Sequence, residues 1–305
     1  MRKRSLMLDY RSDDRTCPSV GMLEAMTRAT YDDDVRQEDG RTFQLEQHIA
    51  QMFGKADAML TATGTAANFI AMLHHCGRGD EFIIGADYHI YGQECGGAMA
   101  LGGAVGRTVP VTPDGGLDIG DIIPQRDLLF KPPTTLVCLE NTHRGRPLDA
   151  NRMAEMCDRA KSFGLSVHLD GARIWNAHVA TGDTLADLVA GCDTIMVCLN
   201  KGLGCPSGAM LLGSKEAIKR CRGIRKMIGG AIRQPGLYVA AVEYALTHNI
   251  DRLKRDHDEA KRLAEKHGGE WTGTNMVFFP PYFSVNGIQG DRAPDHTRWV
   301  IHSTP

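Results

Sequence analysis

Nowhere does the chain contain an unbroken apolar run approaching the ~20 residues of a membrane-crossing helix, so no such helix is expected. A surplus of one charge is missing as well. Lys and Arg number 35 against 37 Asp and Glu, a formal net charge of −2, with no basic excess of the kind that gathers nucleic acid. The nine cysteines (Cys17, Cys76, Cys95, Cys138, Cys157, Cys192, Cys198, Cys205 and Cys221) form no CxxC pair and have no histidine at zinc-finger spacing, so no metal site is expected. Their odd count and their places inside apolar runs fit free thiols in a reducing cytoplasm better than a disulfide framework. Met1-Arg2-Lys3-Arg4 is basic, but Ser5 to Leu8 is too short for the apolar region of a signal peptide. Internal repeats and low-complexity segments are absent. There is no GxxxxGK[ST] loop, and the glycines around Gly96-Gly97 and Gly102-Gly103 lack the strand and helix context of a dinucleotide fingerprint.

What is present is an ordinary globular composition, 42% apolar and 24% charged over 305 residues. That length predicts one large domain, residues 1–245, with a smaller C-terminal one, residues 246–305. Leu45, Ile49, Met52 and Phe53 fall at helical spacing and Gly54 supplies a stop, which predicts a helix over 43–53. Ala58-Met59-Leu60 leads to Thr61-Ala62-Thr63-Gly64-Thr65, a turn feeding an Ala-rich helix over 66–75. Apolar runs of strand length recur at 81–84, 134–139, 165–169, 194–199 and 209–212. Between two of them Met153, Met156, Cys157, Ala160 and Phe163 trace a helical stripe beginning near Asp149 or Asn151 and ending at Gly164. Strand, helix, strand at this spacing implies an α/β fold with a largely parallel sheet. A helical region is expected over 234–266, and beyond Gly268 the pattern breaks into a loop-rich or partly disordered tail.

Three residue groups carry chemistry. Lys201 follows an apolar strand-like run and precedes Gly202-Leu203-Gly204, where a desolvated amine can attack a carbonyl. Taken alone, a lysine there is usually a surface residue. Asp170 ends the run Ser166-Val167-His168-Leu169, at the strand edge where open α/β folds bind ligands, and a carboxylate so placed can pair with a protonated pyridine nitrogen. The plainer alternatives are a helix cap or a partner for Arg173. Thr63-Gly64-Thr65 offers a phosphate the backbone N–H groups and positive dipole end of a helix, although such residues cap helices without any ligand.

In their order, these groups and their neighbours resemble the threonine aldolases, within the β-eliminating lyase group of fold type I pyridoxal-phosphate enzymes. The resemblance runs from Asp9 to about Phe279. It rests on Asp9-Tyr10-Arg11-Ser12-Asp13, Thr63 to Asn68, His89-Ile90-Tyr91, Glu140-Asn141-Thr142-His143, His168 to Arg173, Cys198 to Gly204 and Arg225 to Gln234. It implies pyridoxal 5′-phosphate as cofactor, a Schiff base at Lys201, Asp170 on the pyridinium and Gly64 with Thr65 in the phosphate cup. It also implies His89 stacked on the ring, and Ser12 with Arg173 on the substrate carboxylate. Arg233 is expected to reach the phosphate of a neighbouring subunit in a dimer or tetramer with shared sites. His89, or a water held by His143, is the expected base. The implied reaction cleaves threonine, allo-threonine or another 3-hydroxy amino acid to glycine and an aldehyde. Other reactions on the same Lys201 and Asp170 (β-elimination, racemisation, transamination), or a cofactor-binding homologue without turnover, remain alternatives. After Phe278 the chain reaches Thr297-Arg298-Trp299-Val300-Ile301-His302 sooner than the resemblance implies, so a shortened C-terminal domain is expected, with Arg298 as the carboxylate-binding arginine. Arg144 and Arg146 are expected to add positive charge at the site mouth, favouring an acidic or extended substrate.

Overall fold

The computed structural model describes residues 8–280, 288–292 and 299–302. After the two-residue strand β1 (Leu8–Asp9), helix α1 (Val20–Thr27) starts at Ser19, whose side chain accepts from the Met22 N–H. Helix α2 (Gly40–Met52) answers the 43–53 pattern. It begins earlier because Asp39 caps it, accepting from the N–H groups of Arg41 and Thr42. Strand β2 (Asp57–Thr61) and helix α3 (Gly64–His75) follow, joined by Ala62 and the cap Thr63.

The expected apolar runs all become strands. They are β3 (Glu81–Gly85), β5 (Thr134–Glu140), β6 (Ser166–Gly171), β7 (Thr194–Cys198) and β8 (Ala209–Gly213), with β4 (Val105–Val109) added at the edge. The short helices α4 (His89–Gly92) and α5 (Gly97–Ala100) lie between β3 and β4. Helix α6 (Ala150–Lys161) links β5 to β6, capped by Asp149. Helices α7 (Ile174–Thr181) and α8 (Leu185–Leu188) link β6 to β7.

These strands form one seven-stranded sheet in the order β2-β8-β7-β6-β5-β3-β4. All neighbours are parallel except β8, which runs antiparallel to both β2 and β7. Every residue of β3, β7 and β8 is buried, because helices cover both faces. The result is the fold type I architecture expected, an α/β protein with a mostly parallel central sheet and flanking helices. None of the described helices is long and apolar enough to cross a membrane.

Helix α9 (Lys215–Met227) was not anticipated, although Ile218, Cys221 and Ile224 mark its buried stripe. The predicted helical region 234–266 divides into α10 (Gly236–His248) and α11 (Leu253–His267), and the expected domain boundary at 245/246 falls inside α10. The break at Asn249 has a cause: its side chain donates to the Leu203 carbonyl at 2.7 Å, tying the turn to the loop after Lys201.

The tail, expected as loop-rich, supplies β9 (Glu270–Trp271), β10 (Met276–Phe279), β11 (Ile288–Gln289), β12 (Asp291–Arg292) and β13 (Trp299–His302). β12, β13, β10 and β9 make a four-stranded antiparallel sheet, and β11 pairs in parallel with β1. Strands this short carry no readable periodicity, which is why sequence pattern missed them.

Candidate active site

Asp170 lies one residue before the C-terminal end of β6, and Lys201 follows the end of β7, so both sit at the same edge of the sheet. The N-terminus of α3 faces that edge from the β2 side. Thr63, Gly64, Thr65, His89, Asp170, Arg173 and Lys201 therefore line one cavity of about 260 Å³. Lys201 opens a one-turn 3-10 helix with φ +56°, a left-handed conformation that a residue with a Cβ adopts at a cost of about 1–3 kcal/mol. Such strain persists where surrounding structure over-determines it, here the packing of Leu253 against Gly202 and the bond from Arg252 to the Gly202 carbonyl at 2.6 Å.

Asp170 is pinned on two sides. Asn68 Nδ2 donates to its Oδ2 at 2.9 Å and the Ala172 N–H to its Oδ1 at 3.0 Å. Burial, reinforced by Glu140 and Glu94, pushes its carboxyl up to about 6. An acceptor this costly to leave charged gains from a cationic N–H placed against it. Lys201 Nζ is bound to Asp14 Oδ1 at 2.8 Å. Burial and Arg173 push the ammonium down, but Cys198, Asp13 and Asp14 outweigh them and leave it above its ordinary value. Arg173 uses Nε and Nη2 on the fully buried Asp13 at 2.8 and 2.7 Å. Burial opposes that charge, and Asp13 more than offsets it, raising the guanidinium above its ordinary value.

Three parts of the site match an anionic, ring-shaped carbonyl compound. The first N–H groups of α3 point out of the helix without intrahelical acceptors, the usual anchor for a phosphate. A Cβ on Gly64 would lie 3.0 Å from Cys198 Sγ and 3.2 Å from Met196 Sδ, so a larger residue would have to push those side chains back from the strand edge. Thr142 lines the same cavity, and its buried Oγ1 finds no hydrogen-bond partner among the described residues. With Lys201 for the carbonyl and Asp170 for a ring N–H, the donor set fits pyridoxal 5′-phosphate.

A second cavity of about 530 Å³ adjoins the first, sharing Asp14, His89, Glu140, Arg173 and Lys201 and adding Asp87, His143, Arg144, Met276 and Phe278. His143 Nδ1 lies 2.8 Å from Glu140 Oε1 and Nε2 lies 3.4 Å from Asp87 Oδ2. Because a carboxylate only accepts, Nδ1 directs a hydrogen to Glu140, while Nε2 faces Asp87 at ion-pair distance. The other Glu140 oxygen accepts from the His89 N–H at 2.7 Å, so one side chain holds both candidate bases.

Other expected residues stand elsewhere. Ser12 lines neither cavity. It caps the short helix at Asp13–Arg15, and its neighbour Asp14 is the residue that meets Lys201. Arg233 is exposed, pairs with Asp33 and lines neither cavity of its own chain. Arg298 lies outside the described residues. Arg144 and Arg146 do not add bare positive charge: Arg144 pairs with Asp87 at 2.9 Å and Arg146 with Glu270, which cancels the charge that sequence alone assigned to the mouth. Sequence reasoning missed Asp14, Asn68, Glu94, Glu140 and Thr142 as site residues. All but Glu94 lie in motifs quoted above or beside them, yet Asp14 and Asn68 meet Lys201 and Asp170 far along the chain.

A family model described as Beta-eliminating lyase matches residues 9–269. The low specificity L-threonine aldolase of Escherichia coli (strain K12) is 42% identical over 263 residues, covering 85% of this chain and 79% of that protein. The probable low-specificity L-threonine aldolase 2 of Arabidopsis thaliana is 42% identical over 267 residues, covering 85% and 75%. The structure of Leishmania major threonine aldolase superposes with a TM-score of 0.81, covering 97% of this chain and 94% of that one, and at 21% identity it speaks for the fold alone. On a family match that spans most of its length and on relatives of this identity, the chain belongs to the beta-eliminating lyase family.

Proposed function

We propose that the protein is a pyridoxal 5′-phosphate-dependent aldolase that cleaves L-threonine, L-allo-threonine or a related 3-hydroxy amino acid to glycine and an aldehyde. The observation that carries the reading is the meeting of Lys201, Asp170 and the α3 N-terminus in one cavity. The bound cofactor would supply an electron sink for the pair released when the Cα–Cβ bond breaks.

In this reading Lys201 is the residue that would hold the cofactor through its carbonyl. Asp170 would pair with the ring nitrogen, and the N–H groups of Gly64 and Thr65, with the Thr63 side chain nearby, would hold the phosphate. His89, on the cavity wall, would cover the ring. Its bond to Glu94 raises it above the ordinary histidine value and so favours imidazolium, which suits a ring cover better than a base. His143, with Nδ1–H committed to Glu140, keeps Nε2 to take the β-hydroxyl proton directly or through a water. Arg173, which lines both cavities, would receive the substrate carboxylate, joined by Arg298. The second cavity would hold the group carried on the β-carbon. We further place the protein in the cytoplasm as a homo-oligomer, a dimer or tetramer, in which Arg233 reaches the phosphate bound by a neighbouring copy. Seven buried free thiols support a reducing compartment.

The test is the visible spectrum of the purified protein with L-threonine and with L-allo-threonine, alongside assays for glycine and acetaldehyde. A cofactor band that responds to substrate, with both products, is the expected outcome. Lys201→Ala should abolish the band and cut turnover by at least roughly 10³-fold. Ammonia and a keto acid in place of glycine and aldehyde would make the enzyme a β-eliminating lyase instead.

A further inference from the structure

Behind Asp170 runs a chain of buried polar side chains that the proposed reaction does not use. His168 and Asp170 are two residues apart on β6 and so face the same side of the sheet, the side covered by α3. Asn68 and His75 are seven residues apart on α3 and share the face turned to the sheet. Thr194 on β7 stands directly opposite His168 in register. The contacts form one line: His75 Nε2 to Thr194 Oγ1 at 2.8 Å, Thr194 Oγ1 to His168 Nδ1 at 2.9 Å, His168 Nε2 to Asn68 Oδ1 at 3.0 Å, and Asn68 Nδ2 to Asp170 Oδ2 at 2.9 Å.

Valence sets the direction of every bond. The Asn68 amide nitrogen also donates to Glu94 Oε1 at 2.9 Å, so its two hydrogens face two carboxylates and Oδ1 must face His168. His168 therefore carries its hydrogen on Nε2. Its bare Nδ1 can only accept, so the Thr194 hydroxyl donates to it and in turn accepts from a hydrogen on His75 Nε2. Both imidazoles are held neutral by burial, His168 down to about 3 and His75 to about 4, so neither has a second hydrogen to reverse the order. Reversing one link alone would leave two donors or two acceptors facing each other at a neighbouring contact.

We propose that His75, Thr194, His168 and Asn68 are positioning residues forming a one-directional hydrogen-bond relay. It fixes Asp170 as an acceptor for the cofactor's ring N–H and locks α3, with its phosphate-binding end, onto the strand that carries Asp170. Bonds aligned head to tail in a dry interior polarise one another, so the last donor, Asn68, acts more strongly on Asp170 than an isolated amide would. The relay couples the two ends of one ligand, because α3 presents Gly64 and Thr65 at one end and Asn68 and His75 further along.

This rests on the cofactor reading above, and its test separates the two. Nitrogen-15 spectra of labelled histidine, in cofactor-free and cofactor-loaded protein, should show His168 and His75 with hydrogen on Nε2 and a bare Nδ1. A His168 protonated on Nδ1 overturns the relay. Thr194→Val keeps the shape and removes the hydroxyl; cofactor affinity should fall roughly tenfold and the bound-cofactor absorption band should shift, with Thr194→Ser restoring both. Wild-type affinity and band in Thr194→Val would also overturn it. Should Thr194→Val not fold, His75→Leu at the half-buried end of the chain carries the same expectation, in the same direction. A protein that takes up no cofactor in any form refutes the cofactor reading, while the imidazole spectrum still decides the relay.

Discussion

Lys201 shows how one residue's neighbours set its chemistry. Burial alone would lower its amine's titration, yet the Asp14 carboxylate at 2.8 Å helps hold it as an ammonium. Burial works against the charge on Asp14 too, but Lys201 outweighs it and keeps that carboxyl below its usual range, so the pair stabilises itself. Asp14→Asn removes a contribution that raises Lys201. The lysine's titration should therefore move down, and pyridoxal 5′-phosphate should bind faster at about pH 8 than in wild type; a stopped-flow measurement of cofactor uptake against pH checks this. Arg173 makes the opposite case, a charge needed for stability. Arg173→Ala removes the guanidinium that balances the charge of the fully buried Asp13 and should cost about 3–5 kcal/mol in chemical denaturation of the cofactor-free protein, with part recovered in the double variant carrying Asp13→Asn. Lys201 and Asp170 were legible because each closes an apolar run. Asp14 was not: Ser12, two positions earlier, drew the assignment, and the partner that gives Asp14 its role lies 187 residues away.

At the scale of elements, local pattern read well wherever burial was uniform and the element long. The five strand-length runs and α6 follow from apolar spacing and capping residues alone. α9 escaped notice although its stripe was there, and β8 was legible as a strand but not as the member that reverses direction between β2 and β7. Direction depends on the path of the chain between strands, which composition does not carry. Helix α11 holds a buried carboxyl with a measurable signature. Asp256 Oδ2 has no hydrogen-bond partner among the described residues, and burial pushes its carboxyl up to about 7 against the pull of Arg252. A carboxyl raised in the fold binds its proton more tightly there than in the unfolded chain, so its contribution is present in acid and lost as pH rises toward 7. Asp256→Asn should thus stabilise the protein by about 2 kcal/mol more at pH 8 than at pH 4, measured as the difference from wild type at each pH.

For the whole molecule, the sheet divides the thiols sharply. Cys17 and Cys95 are exposed and the other seven cysteines are buried, with burial pushing Cys198, Cys205 and Cys221 up to about 12. An aromatic disulfide reagent should therefore titrate two thiols in the native protein and all nine after unfolding. More than two fast thiols would mean that the core around β7 opens on the timescale of the reaction. The C-terminal segment behaves as part of the same molecule: Tyr10 near the N-terminus packs in one cluster with Val277, Phe279 and Ile301.

The sequence by itself determined that the chain is an α/β protein with a lysine and an aspartate at strand ends and a helix cap suited to an anion, because apolar period, caps and strand ends are properties of neighbouring residues. Only the tertiary structure decided that Asp14 binds Lys201, that Asp13 occupies Arg173, that Glu140 holds His143 and the backbone of His89, and that His75 and Asp170 are ends of one hydrogen-bonded line. Most of those pairings join side chains brought together by the sheet from distant parts of the chain, and burial makes them hold, because a polar group shut away from water must find its partner within the protein.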